Sequence, residues 1–152
     1  MCAVRWPSPN VCIYRVKRST RVNAVLFLVL GPVVASISHG ISGAAFLLLF
    51  GAYVAASVFR TALTLAGETI ELRTLFARKA LRFDNILGRR EYVAATKYGG
   101  RLSWKIVPNE NRLPTLKFDS NLEFDGEFRE WFESLPDLDA IDKLKLKYPE
   151  VS

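Results

Sequence analysis

The chain has 152 residues, of which 50% are hydrophobic and 24% charged, and its formal net charge is +6. This composition is too apolar for an ordinary soluble domain and too charged for a chain embedded entirely in a membrane. The charges are also segregated, because residues 22–59 contain no Lys, Arg, Asp or Glu. We therefore expect a membrane part and a single small soluble domain.

Residues 1–21 form a basic N-terminal segment that contains no acidic residue. Most of its basic residues lie just before the apolar run, and such a cluster holds a flanking segment on the cytoplasmic side of a membrane. The two cysteines, Cys2 and Cys12, are both in this segment. No His, Cys or acidic partner lies nearby, so we expect two reduced thiols without a metal. The segment is interpreted as a disordered leader outside the soluble domain.

Residues 22–59 are too long for one membrane crossing, which takes about 20 apolar residues, and suit two short ones. Polar and helix-weakening residues around His39 divide the run, which predicts transmembrane helices at 22–38 and 41–59. Their connecting loop has no Lys or Arg, so both termini are expected in the cytoplasm. The alternative is a signal peptide cleaved near Ser38. We disfavour it because the apolar stretch is longer than a signal core and a second apolar run follows at once.

No ionisable residue interrupts the two apolar segments, which disfavours a channel or transporter. Small residues at Gly31, Ala35, Gly51 and Ala55 would let helices approach closely. They can pack the hairpin against itself or form a dimer interface, and we favour the first. A lone histidine at the loop, His39, fits no metal or catalytic pattern.

Residues 61–136 have the sequence pattern of a small β-rich domain. Short alternating runs are separated by Gly, Asn and Asp, which predicts an antiparallel sheet or barrel. In one run Ile70 and Leu72 share one face while Glu71 and Arg73 share the other. The predicted strands are Thr61–Leu65, Glu68–Leu75, Lys79–Asp84, Arg89–Ala95, Arg101–Val107 and Thr115–Asp119.

One amphipathic helix closes this domain. Its apolar residues fall on a single stripe from Phe124 to Leu135, with Asp125 as N-cap and Pro136 ending the helix. These aromatics are interpreted as core. The predicted core comprises Leu72, Phe83, Ile86, Trp104, Ile106, Leu116, Phe128, Trp131 and Phe132. Residues 137–152 form a C-terminal tail with a weaker helical stripe, which suggests a short helix.

The strand run ETIELRTLFARKALRFDNI directly after a membrane hairpin, and the closing helix EFREWFESLP, resemble small bacterial membrane proteins that carry a pleckstrin-homology-like (PH-like) domain. In that family a strongly bent antiparallel sheet is plugged at one end by a C-terminal helix. The resemblance covers roughly residues 20–136. It implies an α+β fold, with a two-helix transmembrane hairpin followed by a PH-like bent sheet or barrel, and a place in the bacterial cytoplasmic (inner) membrane. It implies no catalytic residue.

The domain carries a charge gradient. Residues 60–117 contain 12 Lys or Arg against 5 Asp or Glu, a net charge of +7, whereas residues 118–152 contain 4 against 10, a net charge of −6. The basic side is a candidate contact for anionic lipid headgroups or for another, acidic membrane protein, and the alternative is ordinary solvated charge. Its candidate residues are Arg73, Arg78, Lys79, Arg82, Arg89 and Arg90. Nucleic acid is disfavoured, because no aromatic residues interleave the arginines and the domain is tethered to a membrane.

No Gly-rich phosphate loop and no Ser/His/Asp or Cys/His set is present, so we expect no catalytic, cofactor-binding or metal-binding residue. The preferred interpretation is a membrane-anchored cytoplasmic binding or scaffold domain. The alternative is a membrane-bound enzyme or enzyme subunit without recognisable catalytic motifs.

Overall fold

The computed structural model describes residues 11–96 and 99–147, with the side chains of 38–40, 96, 99 and 143–147 left out. The fold is α+β. In chain order the elements are β1 (Cys12–Arg15), α1 (Arg18–Ile37), α2 (Ile41–Arg60), β2 (Ala62–Ala66), β3 (Thr69–Arg73), β4 (Arg78–Arg82), a 3₁₀ turn (Phe83–Asn85), β5 (Ile86–Thr96), β6 (Gly99–Pro108), β7 (Leu116–Asp119), α3 (Gly126–Ser134) and α4 (Leu138–Lys147).

The apolar run forms a helical hairpin. Helical backbone geometry is continuous from Arg18 to Arg60, yet a straight helix would separate Phe27 and Phe50 by about 34 Å. Their ring centroids are 6.0 Å apart, so α1 and α2 lie side by side and antiparallel. Each has 20 residues and is long and apolar enough to cross a membrane. The two helices are therefore compatible with a membrane protein.

Small residues allow α1 and α2 to pack closely. Gly51 is buried, and a Cβ atom added there would lie 3.0 Å from the Cα of Leu28. Ala35 and Ala55 are buried as well, whereas Ile37 and Ile41 are 83% and 89% exposed. Small side chains inside and large apolar ones outside suit helices surrounded by lipid. Gly51 thus packs the hairpin against itself.

In the part of the chain that the structure describes, seven strands form two antiparallel sheets, with strand orders β1-β2-β3-β4 and β5-β6-β7. Neither sheet closes into a barrel, so the expectation of one sheet is corrected to two. The separation follows from the turn Phe83–Asn85, which redirects the chain between β4 and β5. Every strand predicted from residue 61 onward is present, with ends shifted by up to three residues.

The N-terminal segment differs from the prediction. It was interpreted as a leader outside the domain, but β1 pairs with β2 as the edge strand of the first sheet, with Tyr14 opposite Leu63. Tyr14 and Val16 are each 5% exposed and belong to the core. The reason is their period-two spacing, which puts both side chains on the inner face. The sheet domain therefore begins before the hairpin, and α1 and α2 are inserted between its first two strands.

The core lies between the sheets and α3. Asp125 caps this helix, its Oδ1 accepting a hydrogen bond from the Phe128 N–H at 2.7 Å, and Phe128, Trp131 and Phe132 are buried. Seven of the nine predicted core residues are buried, and Ile86 and Trp104 pack half-buried against them.

The C-terminal helix α4 packs beside β5. Leu138 is 8% exposed, and the Arg89 N–H donates to the carbonyl of Pro136 at 2.8 Å. A Cβ atom at Gly88 would collide with that same carbonyl oxygen and would lie 2.9 Å from Leu138. The absence of a side chain at Gly88 therefore allows α4 to approach the second sheet.

Candidate functional site

The hairpin joins the sheet domain without a linker. Only Val16 and Lys17 separate β1 from α1, and only Thr61 separates α2 from β2. The Lys17 N–H donates to the carbonyl of Asn121 at 2.7 Å, and the Thr61 hydroxyl donates to the carbonyl of Ser57 at 2.7 Å. Val58, within α2, packs against the core of the domain. The end of the hairpin and the first sheet thus form one continuous packed unit.

A cleft of about 910 Å³ opens at this junction. Its walls are the end of α2, the outer face of the first sheet and the turn between β3 and β4. The strand register aligns Arg15 with Ala62, Ala62 with Arg73 and Arg73 with Arg78. Three arginines therefore lie in one row across the end of the sheet, and Arg60 completes the lining.

Positive charge dominates the cleft. Among the described residues its one lining acid is Glu71, which pairs with Arg78 at 2.6 Å and Arg73 at 3.3 Å. The hydrogen bond from Arg78 lowers the pKa of the Glu71 carboxyl, so Glu71 stays ionised at neutral pH. In the described part of the chain Arg15 and Arg60 form no ion pair, and both are exposed. The lining residues within 11–96 and 99–147 include four arginines and one glutamate, a net charge of +3.

The turn between β3 and β4 carries an exposed aromatic ring. Phe76 is 83% exposed, and its ring stacks on that of Tyr53 in α2, at 6.1 Å between centroids and 24° between planes. The turn satisfies part of its own backbone. The Thr74 N–H donates to the Ala77 carbonyl at 2.8 Å, and the Ala77 N–H donates to the Thr74 hydroxyl at 3.2 Å.

Four of the six predicted basic residues lie on β3 and β4, and two of these reach the cleft. Arg73 and Arg78 line it. Arg82 is at the other end of β4, where it pairs with Glu68 at 3.1 Å and with Asp84 at 3.5 Å. Lys79 is exposed, but neighbouring residues of a strand point to opposite faces, so it does not share the face of Arg78.

The other two predicted residues lie on β5 in the second sheet. Arg90 pairs with Asp139 at 3.0 Å and with Asp142 at 2.5 Å, and both acids belong to α4. Arg89 pairs with Glu91 at 2.5 Å, and its guanidinium lies 5.3 Å from the centroid of the Phe132 ring. These arginines bind elements of the domain itself, so the six predicted residues are divided between two sheets.

Arg15 and Arg60 line the cleft but were not predicted as site residues. Both residues lie beside the apolar run, and the preference of basic residues for the flank of a membrane segment is enough to explain that position. The position therefore gives no indication that they line a cleft. The signal for Arg15 is the alternation of residues 12–16, which predicts a strand and would have placed Arg15 on an outer face.

A second cavity of about 400 Å³ lies between the hairpin base and both sheets. Its lining includes Thr20, Ser57, Tyr92, Ser103 and Asp119. Within residues 11–96 and 99–147 no group of three or more His, Cys, Asp or Glu side chains is placed to hold a metal ion.

Comparisons with protein-family models, with curated proteins and with solved structures found no match for this chain.

Proposed function

We propose that this chain is an integral protein of the bacterial inner membrane. In this proposal α1 and α2 cross the bilayer, both termini are cytoplasmic, and the sheet domain is a PH-like binding or scaffold module at the membrane surface. The observation that carries the proposal is the direct connection of both membrane-length helices to neighbouring strands, β1 and β2, of one sheet.

The strand pairing supports the two-span topology. Because β1 and β2 are hydrogen-bonded neighbours, the chain before α1 and the chain after α2 must lie on the same side of a membrane. Five basic residues lie at that end of the hairpin, and such residues favour the cytoplasmic side. They are Arg15, Lys17, Arg18, Arg21 and Arg60.

The arrangement of the domain supports the PH-like assignment. The resembling family has a bent antiparallel sheet plugged by a C-terminal helix. Here two antiparallel sheets surround a core into which α3 inserts Phe128, Trp131 and Phe132. The two sheets follow each other along the chain and are joined by the turn Phe83–Asn85, which is how a single bent sheet would divide.

A binding role fits the cleft better than a catalytic one. The cleft presents several arginines and one glutamate, which is ion-paired with two of them. This excess of positive charge suits recognition of negative charge. Arg89 and Arg90 do not contribute to such a surface, since their guanidinium groups already bind Glu91, Asp139 and Asp142. The binding surface is therefore the cleft at the hairpin base, and the basic side predicted from sequence is reduced to that part.

Cysteine accessibility tests the topology. Single cysteines are placed at Gly40 and at Gly126 in a chain lacking Cys2 and Cys12, and intact cells are treated with a membrane-impermeant maleimide. We expect labelling at position 40 only, because position 126 is in the cytoplasmic domain. Labelling at position 126 from outside would contradict the topology, and release of the protein by alkaline carbonate would contradict membrane anchoring.

A further inference from the structure

We propose that the cleft binds the headgroup of an anionic phospholipid, and that the β3–β4 turn, residues 74–77, dips into the bilayer beside α2 as the outer wall of the site. The inference rests on the membrane anchoring proposed above. It names the ligand class of the cleft and adds a third point of contact with the membrane.

The position of Phe76 relative to α2 places the turn at the depth of the lipid chains. A helix of 20 residues is about 30 Å long, which matches the hydrocarbon thickness of a bilayer. With Arg60 at the boundary, Tyr53 lies seven residues earlier and therefore about 10 Å deeper. The Phe76 ring stacks on Tyr53, so it lies at the level of the lipid chains and not above the headgroups.

The chemistry of the turn suits this depth. Residues 75–77 are Leu, Phe and Ala, all apolar. A backbone in hydrocarbon must satisfy its own polar groups, and the Thr74 and Ala77 hydrogen bonds do so for two N–H groups of the turn. Arg73 and Arg78 flank the turn on β3 and β4, where their charges lie at headgroup level.

The cleft lies directly behind the turn, at the headgroup level of Arg73 and Arg78. Arg15 and Arg60, which form no ion pair among the described residues, can donate several hydrogen bonds to one phosphate. Arg73 and Arg78 are bound to Glu71 and add positive charge beside them. Phe59 and Phe76 also line it, which gives the first carbons of an acyl chain an apolar wall. A headgroup with an attached chain fits this combination of charge and apolar surface better than a free anion does.

Lipid titration of the full chain tests the ligand. The protein, purified in a neutral detergent, is titrated with phosphatidylglycerol or phosphatidylcholine, and bound lipid is counted by native mass spectrometry. We expect one phosphatidylglycerol to bind preferentially. Each basic residue at an anionic surface contributes about fivefold in affinity, so the double variant Arg15→Gln/Arg60→Gln should bind roughly 25-fold more weakly.

The matched control is Arg112→Gln/Arg129→Gln, which removes the same charge from two exposed arginines outside the cleft. Its affinity should equal that of the unchanged protein. Equal weakening of both double variants, or equal binding of phosphatidylcholine, would overturn the site. Displacement of the lipid by inorganic phosphate at comparable concentration would also overturn it, because the site would then recognise the free anion.

Spin labels test the depth of the turn. In nanodiscs containing phosphatidylglycerol, single labels are placed at positions 76, 49 and 110 in a chain lacking Cys2 and Cys12. Leu49 is 71% exposed on α2. Glu110 follows Asn109, whose N–H donates to the carbonyl of Asn85 beyond the end of β4 that is remote from the cleft. Labels at 76 and 49 should collide mainly with oxygen, and the label at 110 mainly with a water-soluble nickel complex.

The three positions separate the two proposals. If position 49 reports lipid and position 76 reports water, the inserted turn is wrong and the membrane anchoring stands. If position 49 also reports water, the anchoring itself fails.

Discussion

The Tyr14 hydroxyl donates one bifurcated hydrogen bond to the carboxylate of Asp125, with its oxygen 3.0 Å from Oδ1 and 3.1 Å from Oδ2. The two residues are 111 positions apart, and the hairpin and strands β2 to β7 lie between them in the chain. Since Asp125 also caps α3, this contact ties the first strand to the closing helix. Burial and the hydrogen bond to Asp125 raise the pKa of the Tyr14 phenol.

Tyr14→Phe should therefore lower the free energy of unfolding by about 1–2 kcal/mol, since it removes a hydrogen bond to a charged group and leaves the ring packing intact. Chemical unfolding in detergent, followed by tryptophan fluorescence, measures the change. The matched control is Tyr92→Phe, an exposed tyrosine on β5, which should be neutral. A neutral Tyr14→Phe would mean that the hydrogen bond does not stabilise the fold.

The participation of the N-terminal segment in the sheet predicts opposite results for two neighbouring substitutions. Val16 is 5% exposed, whereas Ile13 on the outer face is 52% exposed. Val16→Asp should destabilise the domain by about 3 kcal/mol or more, because a carboxylate would be buried without a partner. Ile13→Asp should change stability by less than about 1 kcal/mol. Equal small effects in the unfolding assay would place β1 outside the domain.

We expect loss of the Arg90 ion pairs to loosen α4 locally. Its ion pairs with Asp139 and Asp142 are partly exposed, with 39% of the arginine side chain accessible, so Arg90→Gln should reduce stability by less than about 1 kcal/mol. Backbone hydrogen exchange in 138–147 should nonetheless rise, and high salt should produce the same rise in the unchanged protein. Arg82→Gln, which removes the pairs with Glu68 and Asp84, is the control and should leave α4 protected. No change in exchange on Arg90→Gln would show that Leu138 packing alone holds the helix.

Glu71 predicts a pH dependence of stability. Arg78 lowers the pKa of this carboxyl from its ordinary value of 4.5, so its contribution is complete above the unfolded-state pKa and is lost as the pH falls through the folded-state pKa. The stability difference between the unchanged protein and Glu71→Gln should therefore shrink as the pH falls below 4.5. Glu110→Gln, at an exposed glutamate without an ion pair among the described residues, is the matched control. A constant difference for Glu71→Gln over this range would contradict the assignment.

We expect removal of the aromatic ring to lower the free energy of unfolding much more at Trp131 than at Phe76. Trp131 is 3% exposed and lies 5.4 Å from Phe83 and 5.7 Å from Phe128, between ring centroids. Trp131→Ala should cost about 3–5 kcal/mol. Phe76→Ala removes an exposed ring and should cost less than about 1 kcal/mol in detergent. Circular dichroism during unfolding compares them, and a loss below about 1 kcal/mol for Trp131→Ala would make that ring a surface contact.

Local pattern was sufficient to predict most of the fold. The helical spacing of Phe128, Trp131 and Phe132 indicated α3 and its buried face, and the alternation around Ile70 and Leu72 indicated β3. Both signals come from residues close together in the chain, where the period of burial reports the element directly.

Long-range pairing explains what the sequence did not reveal. Tyr14 joins a sheet whose next strand begins 47 positions after β1 ends, and its basic neighbours suggested only a membrane flank. The acids that bind Arg90 are 49 and 52 positions away, so a charge count could not tell that this arginine is occupied. Arg15 and Arg73, which both line the cleft, are likewise brought together only by the pairing of β1, β2 and β3.

The insertion of the hairpin between β1 and β2 has a consequence for biosynthesis. The ribosome releases β1 before both apolar helices and β2 after them, so β1 has no partner until the second helix has emerged. If the hairpin enters the bilayer as proposed, the first sheet can assemble only when the flanks of the hairpin end on one side. A nascent chain with one helix misplaced would retain an unpaired, apolar β2 edge. Completion of the sheet would thus serve as a folding checkpoint for membrane insertion.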